Sequence, residues 1–260
     1  LLLHEQNAVF GRANRLLARF ARTIALSFAR TSHVPTGPSQ IVTGNPVRPG
    51  FRLDAAAFRA PSATEAFRLL VIGGSQGARI FSDVVPEAVA RLPEPVRRRL
   101  RIQQQCRPED LTRVCERYAA LGIDAEVTAF FKDMPSQLEA AHLLVSRAGA
   151  SSLTEIMAMG RPSILVPYAA AADDHQRANA EILAAAGGCV SIRQSAFDAE
   201  ALEHELEALM RDPVRLEAMA TAARELYQED AASRLADAVL AMLPAADRVG
   251  STVSGAEVAR

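Results

Sequence analysis

Apolar and polar positions fall into a repeating order along most of this chain: a short apolar run, a turn of small residues, then an amphipathic stretch. The clearest example lies at 142–168. Residues 143–145 form an apolar run that stops at Ser146 and Arg147, and Ala148-Gly149-Ala150 makes a small-residue turn. A helical pattern then begins at Ser152, Gly160 and Pro162 close it, and a second apolar run covers 163–166. Strand, turn, helix and strand in that order is a βαβ unit, whose first turn is where such units hold phosphate. The same alternation predicts further strands over 67–72, 100–104, 127–130 and 189–192. It predicts helices over 77–92, 108–121, 135–141, 175–186, 198–210, 213–227 and 231–242. The fold class that follows is α/β, a parallel sheet with helices on both faces and ligands at the C-terminal ends of its strands.

The first fifty residues read differently. Leu1-Leu2-Leu3 running into His4-Glu5-Gln6-Asn7 resembles the end of a buried strand entering a polar loop, so the sequence is expected to begin inside a domain. A helix over 11–21 would place Leu16, Leu17 and Phe20 on one face and Arg12, Arg15, Arg19 and Arg22 mostly elsewhere. Strands over 23–28 and 40–43 follow, and Gly44 and Pro46 impose a rigid exit that fixes where Arg48 points. The domain plan is therefore a remnant of an N-terminal domain over 1–50, a linker rich in Ala, Pro and Arg over 51–66, and a C-terminal ligand-binding domain over 67–228. A C-terminal helix over 229–244 is expected to fold back on the N-terminal domain, and a small, polar tail over 245–260 to be disordered.

Composition narrows the partners. A formal net charge of -1 on 260 residues gives no global attraction to nucleic acid or anionic lipid. No apolar run approaches the roughly eighteen residues of a membrane span. Cys106, Cys115 and Cys189 show no CxxC pairing and read as reduced, structural thiols.

Four clusters carry candidate chemistry. Gly73-Gly-Ser75-Gln-Gly77 lies between a strand and a helix, where its amides and the Ser75 hydroxyl suit a phosphate. It is neither GxGxxG nor GxxxxGK[ST], and no acidic residue ends the next strand, which disfavours a dinucleotide. Ser152 and Glu155 have the spacing of a capping box, so Glu155 is either a cap or a ligand-binding carboxylate. Asp173-Asp174-His175-Gln176 is a poor metal site, because adjacent residues rarely all face one ion, and helix capping by an aspartate is the simpler role. Gln176 and Asn179 share a helix face where two amides suit sugar hydroxyls. His4 and Glu5 have acid-base chemistry at a strand end, although a lone His is more often only hydrogen-bonded. Serine hydrolase, kinase and zincin motifs are missing.

Taken together, HEQNAVFG (4–11), GNPVR (44–48), GGSQGAR (73–79), RAGASSLTEI (147–156) and DDHQRANA (173–180) resemble the MurG family, the peptidoglycan N-acetylglucosaminyltransferases of glycosyltransferase family 28. The resemblance covers 1 to about 243. It implies the two-domain GT-B fold, with the donor domain complete and the N-terminal Rossmann-like domain only partly present. It implies no cofactor and no metal. The reaction implied is inverting transfer of N-acetylglucosamine from UDP-N-acetylglucosamine to the C4 hydroxyl of undecaprenyl-diphospho-muramoylpentapeptide, by a peripheral protein at the cytoplasmic face of the cell membrane. By the same resemblance Asn7, Arg48, Ser75, Phe131, Gly149, Ala150, Ser151, Ser152, Leu153, Thr154, Glu155, Gln176 and Asn179 fall at donor-binding positions. Glu155 would take the ribose hydroxyls and Phe131 would meet uracil. His4 and Glu5 would line the acceptor side as candidate catalytic residues, with the main base expected upstream of Leu1. The turn departs from the family's usual Ser-Gly-Ala in reading Ala148-Gly149-Ala150. Two alternatives stand beside this reading: another GT-B UDP-sugar transferase with a lipid acceptor, and a binding-only UDP-sugar module that needs a partner chain.

Overall fold

The computed structural model describes residues 1–48, 50–51, 58–74 and 78–243. Two parallel sheets organise them. The first holds β1 (Leu2–Glu5), β2 (Thr23–Leu26) and β3 (Ser39–Val42) in that order. The second holds β4 (Phe67–Ile72), β5 (Leu100–Gln105), β6 (Asp124–Thr128), β7 (Leu143–Ser146), β8 (Ser163–Leu165) and β9 (Cys189–Ser191) in the order β6-β5-β4-β7-β8-β9.

The helices are α1 (Arg12–Leu17), α2 (Arg79–Arg91), α3 (Glu94–Arg97), α4 (Leu111–Ala120), α5 (Met134–Ala140), α6 (Ala150–Met159), α7 (His175–Ala185), α8 (Ala199–Met210), α9 (Pro213–Glu225) and α10 (Ala231–Leu240). The chain winds outward from β4 through β5 to β6, then returns to the other side of β4 for β7, β8 and β9. The crevice between the C-terminal ends of β4 and β7 is thus the topological switch point, where doubly wound sheets bind ligands.

Alternation along the central strands divides the core. Leu69 and Val71 of β4, with Leu143 and Val145 of β7, face a cluster built with α2, α4 and α8. Leu70, Ile72 and Leu144 face the opposite cluster, built with α6, α7 and α9. Strands buried on both faces read as continuous apolar runs, which is why these two were legible as strands. The second cluster also takes in Ala8 and Phe28 from loops at the ends of β1 and β2, so the first sheet is anchored to the core of the larger one.

Several expectations need correcting. In the first sheet, β2 ends at Leu26, two residues early, and β3 begins one residue early. The third strand of the large sheet covers Asp124–Thr128, because pairing with β5 puts Arg101 opposite Asp124 and so starts the strand well before Val127. An additional helical turn, α3, fills the connection between α2 and β5. Helix α1 is only six residues long before it tightens into a 3-10 turn over Ala18–Phe20, and it buries none of its own residues. Leu16, Leu17 and Phe20 are exposed; Ala18 faces the small core in their place. Helix α10 meets the N-terminal part at its start, where Ala231 lies against Gly44, while Val239 and Leu240 stay exposed. Phe51 and Ala60, in the stretch expected to be a linker, are buried in the two core clusters that flank the larger sheet. The expected disordered tail over 245–260 lies outside the described residues.

Candidate functional site

A cavity of about 360 Å³ opens at the switch point. Its walls differ in character. Ile72, Phe130, Phe131, Met134, Leu138 and Ile156 form an apolar side, while Arg48, Ser151, Ser152 and Glu155 form a polar one, with Gly74, Ser146 and Gln105 at the strand ends between them. The volume falls within the range of small-molecule sites.

The polar wall is built from the first two turns of α6 and from Arg48 after β3. That helix starts two residues earlier than its pattern suggested, at Ala150, with Gly149 in the N-cap position and no side chain capping it. The capping-box reading therefore fails: Ser152 lies inside the first turn, and Glu155 reaches away from it. An uncapped helix N-terminus offers several amides and the positive end of the dipole to an anion. Gly74, left-handed at φ +86 with no atom within 4 Å of an added Cβ, leaves the facing wall open for a close backbone approach. Ser75, expected to bind phosphate, lies outside the described residues.

Glu155 is half-buried, and burial raises its carboxyl above the ordinary range, opposed by hydrogen bonding and charge from Arg48. Arg48 donates to Oε1 from Nε at 3.2 Å and from Nη2 at 2.9 Å. The exit from β3 aims the arginine there. Gly44 takes a left-handed φ of +79 and approaches so closely that an added Cβ would lie 2.6 Å from Gln228 Cβ. Asn45 Nδ2 then donates to Thr154 Oγ1 at 3.1 Å, pinning the loop to α6.

The other expected residues divide. Ser151 and Ser152 line the cavity. Gly149 and Ala150 supply backbone at the helix start. Leu153 is wholly buried, and the Thr154 hydroxyl donates back to Ala150 O at 2.8 Å, so neither side chain faces the cavity. Phe131 borders the cavity from within the core, whereas the neighbouring Phe130 is exposed at its rim. Gln176 stands behind the turn: its Oε1 accepts from Ala148 N at 3.2 Å and Tyr168 N at 3.0 Å, tying together the loops after β7 and β8.

Asn179 and Asn7, expected at the donor, instead bond to each other. Asn179 is fully buried. Its Oδ1 accepts from Ala8 N at 2.8 Å, and its Nδ2 donates to Asn7 Oδ1 at 3.1 Å and Ala148 O at 3.0 Å. With oxygen and nitrogen both engaged, it ties the loop after β1 to the turn after β7. Gln176 and Asn179 do share a helix face, and the amide oxygen of each accepts from protein backbone.

His4 and Glu5, the candidate catalytic pair, do not line the cavity. Glu5 is buried, and its carboxylate accepts from Asn7 N, Asn7 Nδ2, Gly11 N and Asn14 Nδ2 at 2.8–3.2 Å. A carboxylate so saturated shapes the loop after β1 and has no lone pair free for a substrate proton. His4 donates from Nε2 to Gly44 O at 3.1 Å and accepts at Nδ1 from Gln6 at 3.2 Å. Burial lowers its pKa, offset by the Gly44 bond and by Glu5, which favours a neutral ring braced between two loops. Aspartate capping of α7 is also absent. Asp174 occupies the N-cap position without accepting from a backbone amide of the helix, its carboxylate pairing with the Arg177 side chain instead, and Asp173 turns to Arg12 and Arg15.

Sequence reasoning missed Arg147. It donates from Nη1 to Val166 O at 3.1 Å and Gln194 Oε1 at 2.8 Å, and lies over the rings of Phe81 and Tyr168 at 5.2 Å from each. Burial lowers its pKa. A lone arginine directly after a buried strand was the available signal. Among the described residues no cluster of three or more metal-ligating side chains occurs.

A six-stranded parallel sheet in this winding order, with a crevice at its switch point, is the C-terminal domain architecture of the GT-B glycosyltransferase fold. The chain belongs to glycosyltransferase family 28: the family's C-terminal domain matches residues 68–236. It is 50% identical over 240 residues to the UDP-N-acetylglucosamine–N-acetylmuramyl-(pentapeptide) pyrophosphoryl-undecaprenol N-acetylglucosamine transferase of Granulibacter bethesdensis, an alignment covering 92% of this chain and 62% of the relative. The protein of the same name from Paramagnetospirillum magneticum is 49% identical over 245 residues, covering 93% and 66%. The chain thus spans just under two thirds of these relatives' length. The crystal structure of Acinetobacter baumannii MurG superposes with a TM-score of 0.79 at 31% identity, covering 93% of this chain and 67% of that one. WaaG, a glycosyltransferase of lipopolysaccharide biosynthesis, shares the fold at 19% identity and a TM-score of 0.59.

Proposed function

We propose that these residues hold the UDP-N-acetylglucosamine donor of an inverting N-acetylglucosaminyltransferase that converts the undecaprenyl-diphospho-muramoylpentapeptide acceptor to its disaccharide in peptidoglycan synthesis. The observation that carries the reading is the uncapped start of α6 beside the half-buried Glu155, at the mouth of an apolar slot. The diphosphate lies at the helix N-terminus and the ribose hydroxyls donate to Glu155. Uracil enters between the Phe130-Phe131 loop and Met134. A carboxylate beside the diphosphate would repel it, whereas one reached by two hydroxyls accepts charge-assisted bonds. Ser75 belongs to this proposal as a phosphate ligand, and Gln176 as a contact to the hexose.

In the reaction the acceptor's C4 hydroxyl attacks the anomeric carbon, the bond to the diphosphate oxygen breaks, and UDP leaves with the bonding electron pair. The α6 dipole and amides meet the charge developing on that oxygen. The hydroxyl proton passes to a base that we do not assign to His4 or Glu5, since both are engaged in bracing loops. Transfer is proposed for the whole protein, and donor binding for the residues described. We propose the domain division at 51–66 on the same footing, with Phe51 and Ala60 belonging to the donor side.

Peripheral attachment to the cytoplasmic face of the membrane is proposed from the surface of α1, where Leu16, Leu17 and Phe20 are exposed beside Arg19 and Arg22. No described helix is long and apolar enough to cross a membrane. The full protein, given labelled UDP-N-acetylglucosamine and a soluble analogue of the lipid acceptor, should yield a β-linked disaccharide. Product from a different UDP-sugar or acceptor, and none from this pair, would favour another GT-B transferase. Binding of UDP-N-acetylglucosamine with no product from any acceptor would favour a binding-only module.

A further inference from the structure

Asp173 links α1 to the loop that leads into α7. Its Oδ1 accepts from Arg12 Nε at 3.0 Å and Nη2 at 2.8 Å, and its Oδ2 pairs with Arg15 Nη2. The two arginines are three apart on α1 and so project from one face. Both Asp173 (φ 51, ψ 25) and the next residue, Asp174 (φ 54, ψ 30), are left-handed. One such aspartate is tolerated; two in succession persist only where surrounding contacts over-determine them. Here those contacts are the two arginines on Asp173 and Arg177 on Asp174.

Helix α7 begins directly afterwards, and Gln176 in its first turn fixes the loops after β7 and β8 through Oε1. Its Nε2 makes no hydrogen bond among the described residues and is free to donate. The backbone at Asp173 therefore sets the pitch at which α7 starts, and with it the placement of Gln176.

We propose that Asp173 is a positioning residue for the donor hexose: the Arg12–Asp173–Arg15 triad holds the first turn of α7 so that Gln176 presents its amide to the sugar of a bound nucleotide sugar. This rests on the donor reading above. It accounts for two of the four arginines of the α1 region, which grip the loop before α7 while remaining exposed. By linkage, a bound hexose strengthens the contact between α1 and this loop as much as that contact strengthens hexose binding. UDP alone, lacking the hexose, does not sense it.

The test is titration calorimetry on the 260-residue chain with UDP and with UDP-N-acetylglucosamine. The variants are Asp173→Asn, which keeps tolerance for the left-handed backbone and removes the charge, the double variant Arg12→Ala/Arg15→Ala, and the triple combination. Asp173→Asn should lose about fivefold in UDP-N-acetylglucosamine affinity, at the lower end of measured site-to-site couplings, with UDP affinity unchanged. The double variant should match it, and the triple should lose no more than either, as expected of groups acting through one contact. The wild-type preference for UDP-N-acetylglucosamine over UDP should also shrink as salt rises, because the triad is exposed. Parallel losses for both ligands, or a lower melting temperature with both affinities intact, would reduce the triad to a structural ion pair and overturn the proposal. Failure of UDP to bind the folded wild-type chain would overturn the donor reading itself, and is told apart because it needs no variant.

Discussion

Arg48 Nη2 stands 2.9 Å from Glu155 Oε1, joining the loop that leaves the first sheet to the second turn of the helix at the switch point. The pair places a carboxylate that no helix cap requires at the edge of an apolar slot, where a guanidinium from the loop after β3 opposes the rise in its pKa that burial causes. Replacing Glu155 with Ala should weaken UDP binding about tenfold to a hundredfold, roughly 1.5 to 3 kcal/mol, the scale of hydrogen bonds to a charged group. Thermal stability should hardly change, since Glu155 caps nothing. Normal affinity with a lower melting temperature would return Glu155 to a structural role.

Arg48→Ala tests the electrostatics of the same pair through pH. Burial raises the Glu155 pKa and Arg48 opposes the rise. A raised carboxyl pKa means that the ionised form costs stability above it and the cost disappears as pH falls through it. Without Arg48 that cost grows. The variant should therefore melt below wild type at neutral pH and converge with it in acid, where Glu155 is protonated in both. A constant difference across pH would show that Arg48 stabilises by packing alone.

Asn179→Leu should destabilise the chain by about 3 kcal/mol in denaturant melts, the sum of three modest hydrogen bonds, and leaves the buried Ala8 N–H without an acceptor. Its effect on UDP affinity in the folded fraction should be small. A loss of affinity without a loss of stability would restore Asn179 to the ligand.

His142 offers a pH prediction away from the site. Burial, with Arg68 and Arg161 nearby, brings its pKa from 6.5 to about 4. A base whose pKa is depressed on folding gives stability that is present above pH 6.5 and is lost as pH falls toward 4. Its Nδ1 accepts from Arg68 N at 3.0 Å, a bond that the amide oxygen of His142→Asn can replace without titrating. The melting temperature of that variant should fall less between these limits than that of wild type; identical profiles would assign the acid sensitivity to other groups.

Much of this architecture was legible in the residues. The apolar runs of β4 and β7 are buried on both faces and cannot be mistaken for amphipathic segments. Gly160, left-handed at φ +56, ends α6 where its sequence said it should. Less legible was where polar side chains point. Ser152 and Glu155 have capping-box spacing, yet the helix begins at Ala150 because Gly149 already has extended backbone there, and that shift of two residues turns Glu155 from the helix end to the cavity. Leu16, Leu17 and Phe20 have the spacing of a core face, but spacing does not say what stands opposite, and here they meet solvent. Asn179 and Glu5 turn to protein partners for a common reason. Their partners lie in backbone brought close only by folding, across 171 residues for Asn179 and within one tight loop for Glu5. The polar types needed to brace such a crossing are the same types that bind sugars.

The central claim is that the crevice between β4 and β7 is a uridine-nucleotide site, and titration calorimetry of the wild-type chain with UDP, against NAD as control, tests it most directly. The account predicts one UDP site per chain, weakened at least tenfold by Glu155→Ala, and no heat with NAD. A folded chain that gives no heat with UDP, or binds it equally well without Glu155, would contradict it.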